Sequence, residues 1–336
     1  MIGTSTAMFA ANVLALPFVK AADRMLGPRG CLFTFHRAAL SADWHKLPNR
    51  DFYIDVAFLD RFLAHLAANE WEVVTIAEAV RRSGSADNYK RYVNFSIDDC
   101  YRDSFDLVAP VFRRHNVPLT LFVTTGIPDG SLPLWSIGLE DALVERDEVV
   151  LDDQRIKLAT PAGRRAAFQR VFSRWDGPDA ARRYAAFCAA NGIDMEAMHW
   201  KHAISWEMLE VLAKDPLIEI GAHTINHPRV SELSPEAVVA ELEGSRARLN
   251  ERLNLNVQHF AFPYGRSGDC GPRDFALARR AGFLSAATTR KGLLRGGQDR
   301  FMLPRNTING GHRSLGAMEM HLMGLTGAAA RIAGRV

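Results

Sequence analysis

The chain has few of the features that betray a function at a glance. Its four cysteines, Cys31, Cys100, Cys188 and Cys270, are scattered over 336 residues. None stands in a Cys-x-x-Cys pair, which excludes a zinc ribbon and a thioredoxin-type dithiol. Free thiols buried in a reducing compartment are the expectation. Charge of neither sign dominates: 41 Lys and Arg against 38 Asp and Glu leave a formal net charge of +3. No basic block with interleaved aromatics occurs, so nucleic acid is not an expected partner. No Gly-x-Gly-x-x-Gly follows a strand-like run and no Walker A string is present, which argues against nucleotide binding. There is no short-period repeat and no low-complexity tract. Long apolar runs are also missing, since a transmembrane helix needs about 20 such residues. Residues 7–19 are apolar but lack the preceding Lys or Arg of a secretory signal. Residues 315–332 are apolar but carry Glu319, His321 and several glycines. Terminal apolar helices over 1–24 and 313–336, packed on the domain, are the expectation; interfacial membrane contact is the alternative.

An alternation of strand and helix runs through most of the chain. Cys31-Leu-Phe-Thr-Phe35 reads as a strand ending at His36-Arg37. Phe58, Leu59, Phe62, Leu63 and Leu66 recur at helical spacing. Trp71 to Val74 is a short strand, and Thr75 with Glu78 forms a capping box for the next helix. Val93 to Ile97 reads as a strand ending at Asp98-Asp99, 105–114 as a helix, and Pro118 to Val123 as a strand. Residues from about 128 to 204 break the rhythm and read as a helical insertion. The alternation then resumes with a strand ending at His223. A helix opened by Ser234-Pro235 runs to about Leu253. Val257 to Phe262 is a strand, 273–281 a helix stopped by Gly282, and Phe283 to Thr288 a strand. Repeated βα units imply a parallel sheet, either open and doubly wound or closed as a barrel. His36, Asp98-Asp99, His223 and Pro263-Tyr264 all fall at strand C-termini, the edge where α/β folds bind ligands.

Two adjacent carboxylates at one strand end and a His-x-x-x-His at another suggest a metal hydrolase. One carboxylate and two imidazoles can hold zinc, leaving the second carboxylate free as a base. The histidine pair is not that of a zincin, because Thr224, Ile225 and Asn226 lie between the histidines and none is glutamate.

Taken together these strings resemble the NodB-homology polysaccharide deacetylases. Ser96-Ile97-Asp98-Asp99-Cys100 is similar to the family's Thr-Phe-Asp-Asp-Gly. His223-Thr-Ile-Asn-His227-Pro228 is similar to its His-Ser/Thr-x-x-His-Pro/Ser motif. Phe260-Ala-Phe-Pro-Tyr264-Gly265 is similar to its Phe-Ala-Tyr-Pro-Tyr-Gly. The resemblance implies an incomplete (β/α)₇ barrel, here spanning about 25–312 with the helical insertion at about 128–204. It implies Asp98 as catalytic base, Asp99, His223 and His227 as ligands of a divalent metal, zinc by donor type, and the Tyr264 backbone N–H as an oxyanion donor. Three positions depart from the pattern. Cys100 replaces a glycine, the arginine that often opens the third motif is absent, and no clean Leu-x-His supplies the acid. Phe35-His36-Arg37 resembles a string in a permuted subgroup whose histidine is the acid, which implies that role for His36; a histidine satisfying backbone groups beside the site is the alternative. Arg305, in Leu303-Pro304-Arg305, is a candidate for the missing arginine or a structural ion pair.

The expected reaction is removal of N-acetyl groups from hexosamine residues of a polysaccharide or lipid-linked oligosaccharide, an exopolysaccharide unit among them. O-acetyl ester hydrolysis on a glycan and a non-catalytic glycan-binding barrel are the alternatives. With no convincing export signal, a cytoplasmic location is expected, with the inner membrane face as one option within it. Trp135, Trp175 and Trp200 in the insertion are candidates for stacking on sugar rings, or for burial in the insertion's own core.

Overall fold

The computed structural model describes residues 30–85, 90–175 and 179–332. The expected segment 1–24 lies outside the described residues. The first strands in chain order are β1 (Gly30–Phe35), β2 (Arg37–Ala39), β3 (Tyr53–Asp55), β4 (Glu72–Val73), β5 (Tyr92–Asp99) and β6 (Leu119–Val123). They are followed by β7 (Glu148–Leu151), β8 (Gln154–Lys157), β9 (Ile218–Ala222), β10 (His259–Ala261), β11 (Ser285–Ala287) and β12 (Asn306–Thr307).

The main sheet runs β11-β10-β9-β6-β5-β1-β12, with short β4 beside the start of β5. All of its pairs are parallel. The seven strands curl into the incomplete (β/α)₇ barrel expected of deacetylases. Its two edges meet through the segment after Thr288. Leu303 bridges Ala287 of β11, and Asn306 and Thr307 pair with Phe33 and Thr34 of β1.

Alternation along each strand sorts the side chains into two layers, because successive residues point to opposite faces. On β5, Val93, Phe95 and Ile97 join the large apolar cluster. The intervening Asn94, Ser96 and Asp98 are also buried but carry polar groups. Strand β1 repeats the rule, with Cys31, Phe33 and Phe35 in that cluster and Leu32 and Thr34 on the other face. A strand covered on both sides is expected in a parallel sheet flanked by helices. The large cluster takes in the helices as well. In helix Val56–Ala68, Phe58, Leu59, Phe62, Leu63 and Leu66 are buried, and Asp55 caps it by accepting the N–H groups of Ala57 and Phe58. Thr75 accepts the Glu78 N–H at 3.1 Å as the capping box predicts, but the Glu78 carboxylate pairs with Arg81 and Arg82 instead of reaching back.

One glycine in the sheet has a steric reason. Gly221 of β9 lies opposite Phe122 of β6. A Cβ there would sit 2.5 Å from the Phe122 ring and 3.0 Å from the His259 carbonyl oxygen.

Between β6 and β9 the chain builds a second apolar cluster. Leu139, Leu143, Val149, Leu151, Phe168, Trp175, Tyr184 and Phe187 are its buried members. The region contains helices but also the antiparallel hairpin β7–β8, which the helical pattern did not predict. Trp175 is buried, Trp135 packs half-buried against this cluster, and Trp200 is 40% exposed. At the other end, helix Leu315–Leu322 places Met318 and Leu322 in the main core, and helix Leu325–Ile332 follows. Among the described residues no helix is long and apolar enough to cross a membrane.

Candidate active site

The three motif loops meet at the C-terminal edge of the sheet, where β5, β9 and β10 end. Backbone strain concentrates there. Ten non-glycine residues among those described have positive φ, and Asp99 (67°), Cys100 (68°), Thr224 (68°), His227 (53°) and Tyr264 (60°) are half of them. Left-handed non-glycine residues cost free energy and persist where surrounding structure fixes them, often at functional sites. Cys100 therefore keeps the conformation that glycine adopts most easily, with its thiol buried. Gly265 has φ 69°, and a Cβ would meet the Thr289 backbone nitrogen at 2.7 Å, so the turn after Tyr264 requires glycine.

Asp98 continues the inward series Asn94, Ser96, Asp98. Its carboxylate is 1% exposed and is clamped by Arg305, with Nη1 donating to Oδ1 at 2.6 Å and Nη2 to Oδ2 at 2.7 Å. Arg305 is fully buried. It also donates from Nη1 to Ser96 Oγ and Thr34 Oγ1, and from Nε to the Thr288 carbonyl. Its guanidinium lies 5.2 Å over the Phe122 ring. Gly221 thus makes room for Phe122, Phe122 supports Arg305, and Arg305 holds Asp98. Burial by itself would raise the Asp98 carboxyl, but the charge of Arg305, with a smaller contribution from His223, brings it down from 3.8 to about 2. Of the two readings for Arg305, a partner of Asp98 is the one the geometry supplies.

Asp99 turns away from that axis. Its Oδ1 lies 3.5 Å from His223 Nε2 and 3.2 Å from His227 Nε2. It is nevertheless a buried oxygen with no hydrogen-bond partner, so these atoms face one another without donor geometry. One ligand atom from each of Asp99, His223 and His227 falls within 4.8 Å of the others, which makes this a possible metal-binding triad. A carboxylate and two imidazoles with lone pairs converging on one point is the arrangement a divalent cation fits.

Hydrogen bonds fix the turn that carries both histidines. The His223 Nδ1 bonds the Ala261 carbonyl oxygen at 2.7 Å, which makes Nδ1 the protonated nitrogen and leaves Nε2 free. Burial lowers its pKa to about 4, so the ring is neutral at ordinary pH. The His227 N–H bonds Thr224 Oγ1 at 3.0 Å. Glu241, from helix Pro235–Leu253, grips the loop between them. It accepts the N–H groups of Ile225 at 2.7 Å and Asn226 at 3.0 Å and the Asn226 side-chain amide at 2.7 Å. Sequence reasoning did not single out Glu241; nothing marks a glutamate seven residues into a helix as more than surface charge.

His36 ends β1, half-buried and stacked on Phe52 at 4.7 Å. It is near enough to both carboxylates that its charge would lower each of them. Tyr264 is 44% exposed, with its ring edge-on to His227 at 4.9 Å and under the Arg229 guanidinium at 4.6 Å. All six candidate residues therefore gather at one edge of the barrel.

The polysaccharide deacetylase family model matches residues 177–283, a span that includes His223, His227 and Tyr264 but not the aspartates. The resemblance to polysaccharide deacetylases holds. Solved deacetylase structures share the fold. The Streptococcus pyogenes deacetylase PplD, solved in complex with acetate, is 16% identical with a TM-score of 0.58, covering 84% of this chain and 94% of its own. IcaB from Ammonifex degensii is 17% identical with a TM-score of 0.57, covering 88% and 98%. A de-N-acetylase from Aggregatibacter actinomycetemcomitans is 12% identical with a TM-score of 0.56, covering 87% and 99%. No curated protein sequence matches the chain.

Proposed function

We propose that this protein is a metal-dependent deacetylase that hydrolyses N-acetyl groups on hexosamine residues of a polysaccharide or lipid-linked oligosaccharide. The observation that carries the reading is a buried carboxylate clamped by arginine, Asp98, directly beside the convergent Asp99–His223–His227 triad. Asp99, His223 and His227 are the residues that would hold the ion, with zinc favoured by the donor set. When bound, such an ion supplies Lewis acidity toward a carbonyl and lowers the pKa of water.

The chain's own groups have separate tasks. Asp98 stays ionised beside Arg305 and accepts the proton of the attacking water, as a general base must from within one hydrogen bond. The Tyr264 backbone N–H, set by the strained turn before Gly265, donates to the developing oxyanion. His36 at the end of β1 protonates the leaving amine, which departs poorly without a proton. In this reading the catalytic barrel spans residues 25–312 and carries the insertion at about 128–204. Its proposed place of action is the cytoplasm, with the inner membrane face as an option; the four cysteines, all free and buried, suit a reducing compartment.

The test is Asp98→Asn. The variant is less stable, by the about 3–5 kcal/mol that leaving Arg305 buried without its partner costs, yet still folds and binds metal at the wild-type stoichiometry, and it loses acetate release from N-acetylated oligosaccharides by about 10²-fold or more. Near-normal turnover would refute the mechanism. Running the same assay on O-acetylated saccharides decides the bond, since faster acetate release there would make the enzyme an esterase.

A further inference from the structure

Arg37 follows His36 in the chain, and the proposed reaction makes no use of it. Arg37 is buried at the start of β2. Its Nε donates to Asp103 Oδ2 at 2.9 Å and its Nη1 to the Tyr53 hydroxyl at 3.0 Å. The guanidinium lies over two rings, Tyr53 at 5.0 Å and Tyr101 at 5.3 Å. Asp103 also accepts the Ala38 N–H, and the Tyr53 hydroxyl donates to Glu140 at 2.6 Å. The Tyr101 backbone is bridged to Ala203. The Tyr101 ring is therefore fixed by backbone and by a cation that is itself fixed on two sides.

That ring ends in a hydroxyl 3.0 Å from Asp99 Oδ2. A phenol facing a carboxylate can only donate. The two oxygens of Asp99 thus have different environments. Oδ2 carries a hydrogen bond from Tyr101, while Oδ1 is buried, without a hydrogen-bond partner, and directed at the imidazole nitrogens. Outer partners of this kind orient metal ligands and fix how many oxygens are presented.

We propose that Tyr101 is a positioning residue for the metal centre: its hydroxyl occupies Asp99 Oδ2 so that Oδ1 alone is offered to the ion, and Arg37 holds the ring that carries the hydroxyl. The inference rests on the metal-site reading above and is independent of which acetyl group is cleaved.

Tyr101→Phe tests it, because phenylalanine keeps the ring beneath Arg37 and removes one O–H. Affinity for Zn²⁺ and Co²⁺ is measured by competition with a chromogenic chelator, and the visible spectrum of the Co²⁺ form is recorded. Metal affinity falls about 10- to 100-fold, the Co²⁺ spectrum shifts, and the thermal midpoint of the metal-stripped protein stays close to wild type. In an Asp99→Asn background, adding Tyr101→Phe changes affinity by less than about twofold, because the hydroxyl acts through the carboxylate. Wild-type affinity in the single variant overturns the proposal, as does an equal loss in the Asn background. A variant that fails to fold also overturns it, since the hydroxyl would then be structural. If the wild-type protein binds no divalent ion stoichiometrically, the triad reading itself fails and takes this inference with it.

Discussion

Arg305→Met is the perturbation that reaches furthest into this site. The guanidinium is fully buried and makes five hydrogen bonds, two of them to Asp98 and the others to Thr34, Ser96 and the Thr288 carbonyl. Methionine fills much of the volume but leaves Asp98 buried without a cation. Removing one partner of a buried pair costs about 3–5 kcal/mol, because the remaining charge is neither solvated nor compensated. Burial then acts on the carboxyl unopposed and favours its protonated form, so the base is lost as well. Neutralising both partners behaves differently. In Asp98→Asn with Arg305→Met no buried charge remains, and the double variant recovers a coupling energy of about 1–3 kcal/mol relative to the sum of the single losses. Urea unfolding of the wild type, both single variants and the double variant gives the cycle, and acetate release gives the activity. Arg305→Lys keeps the charge, but an ammonium cannot span both oxygens; its turnover falls on the order of 10²-fold with KM little changed. A cost below about 1 kcal/mol for Arg305→Met, or strictly additive single effects, would refute the reasoning.

Two further outcomes test the framework around the site. Gly221→Ala, which drives a Cβ into the Phe122 ring, lowers the urea midpoint by the equivalent of about 1–3 kcal/mol and reduces turnover through the Phe122–Arg305–Asp98 stack; unchanged turnover would show that the stack does not transmit the disturbance. Stability also depends on acid pH through imidazoles remote from the metal triad. Burial holds His259, which faces Glu219 at 3.8 Å, at about 4, and His321, which faces His312 and Lys291, at about 3, both from 6.5. Both folded values are depressed, so stability is full above about 6.5 and is lost as pH falls from there toward those values. Each imidazole adds about 1.4 kcal/mol per pH unit to the slope within that window. Urea midpoints between pH 7 and 5 check this, and His259→Asn flattens the dependence; an identical slope in the variant would contradict it.

Much of the site was legible because it lies at the ends of strands whose alternation is plain. Val93, Phe95 and Ile97 mark one face of β5, which by alternation alone places Asn94, Ser96 and Asp98 on the other. The histidine turn was legible for the same reason, as a polar string closing an apolar run. Arg305 was visible only as a candidate, since its partner lies 207 residues earlier and no local pattern links them. Tyr101 and Glu241 act through hydrogen bonds to atoms that a sequence does not order in space. The hairpin β7–β8 turns on two adjacent aspartates. Asp152 and Asp153 have φ of 49° and 60°, the two-residue turn with both centres left-handed that joins tight hairpins, and Asp is among the residues that tolerate it. The surrounding Arg- and Ala-rich composition outweighed it.

The closing segment of the barrel also ties the ring to the charge at the site. Without Arg305 the end of β5 would carry a carboxylate that is costly to dehydrate. The segment Leu303 to Thr307 both joins β11 to β1 and brings Arg305 onto Asp98. Without that segment the ring stays open beside β1 and Asp98 keeps no counter-charge, so closure of the barrel and charge compensation at the end of β5 depend on the same five residues.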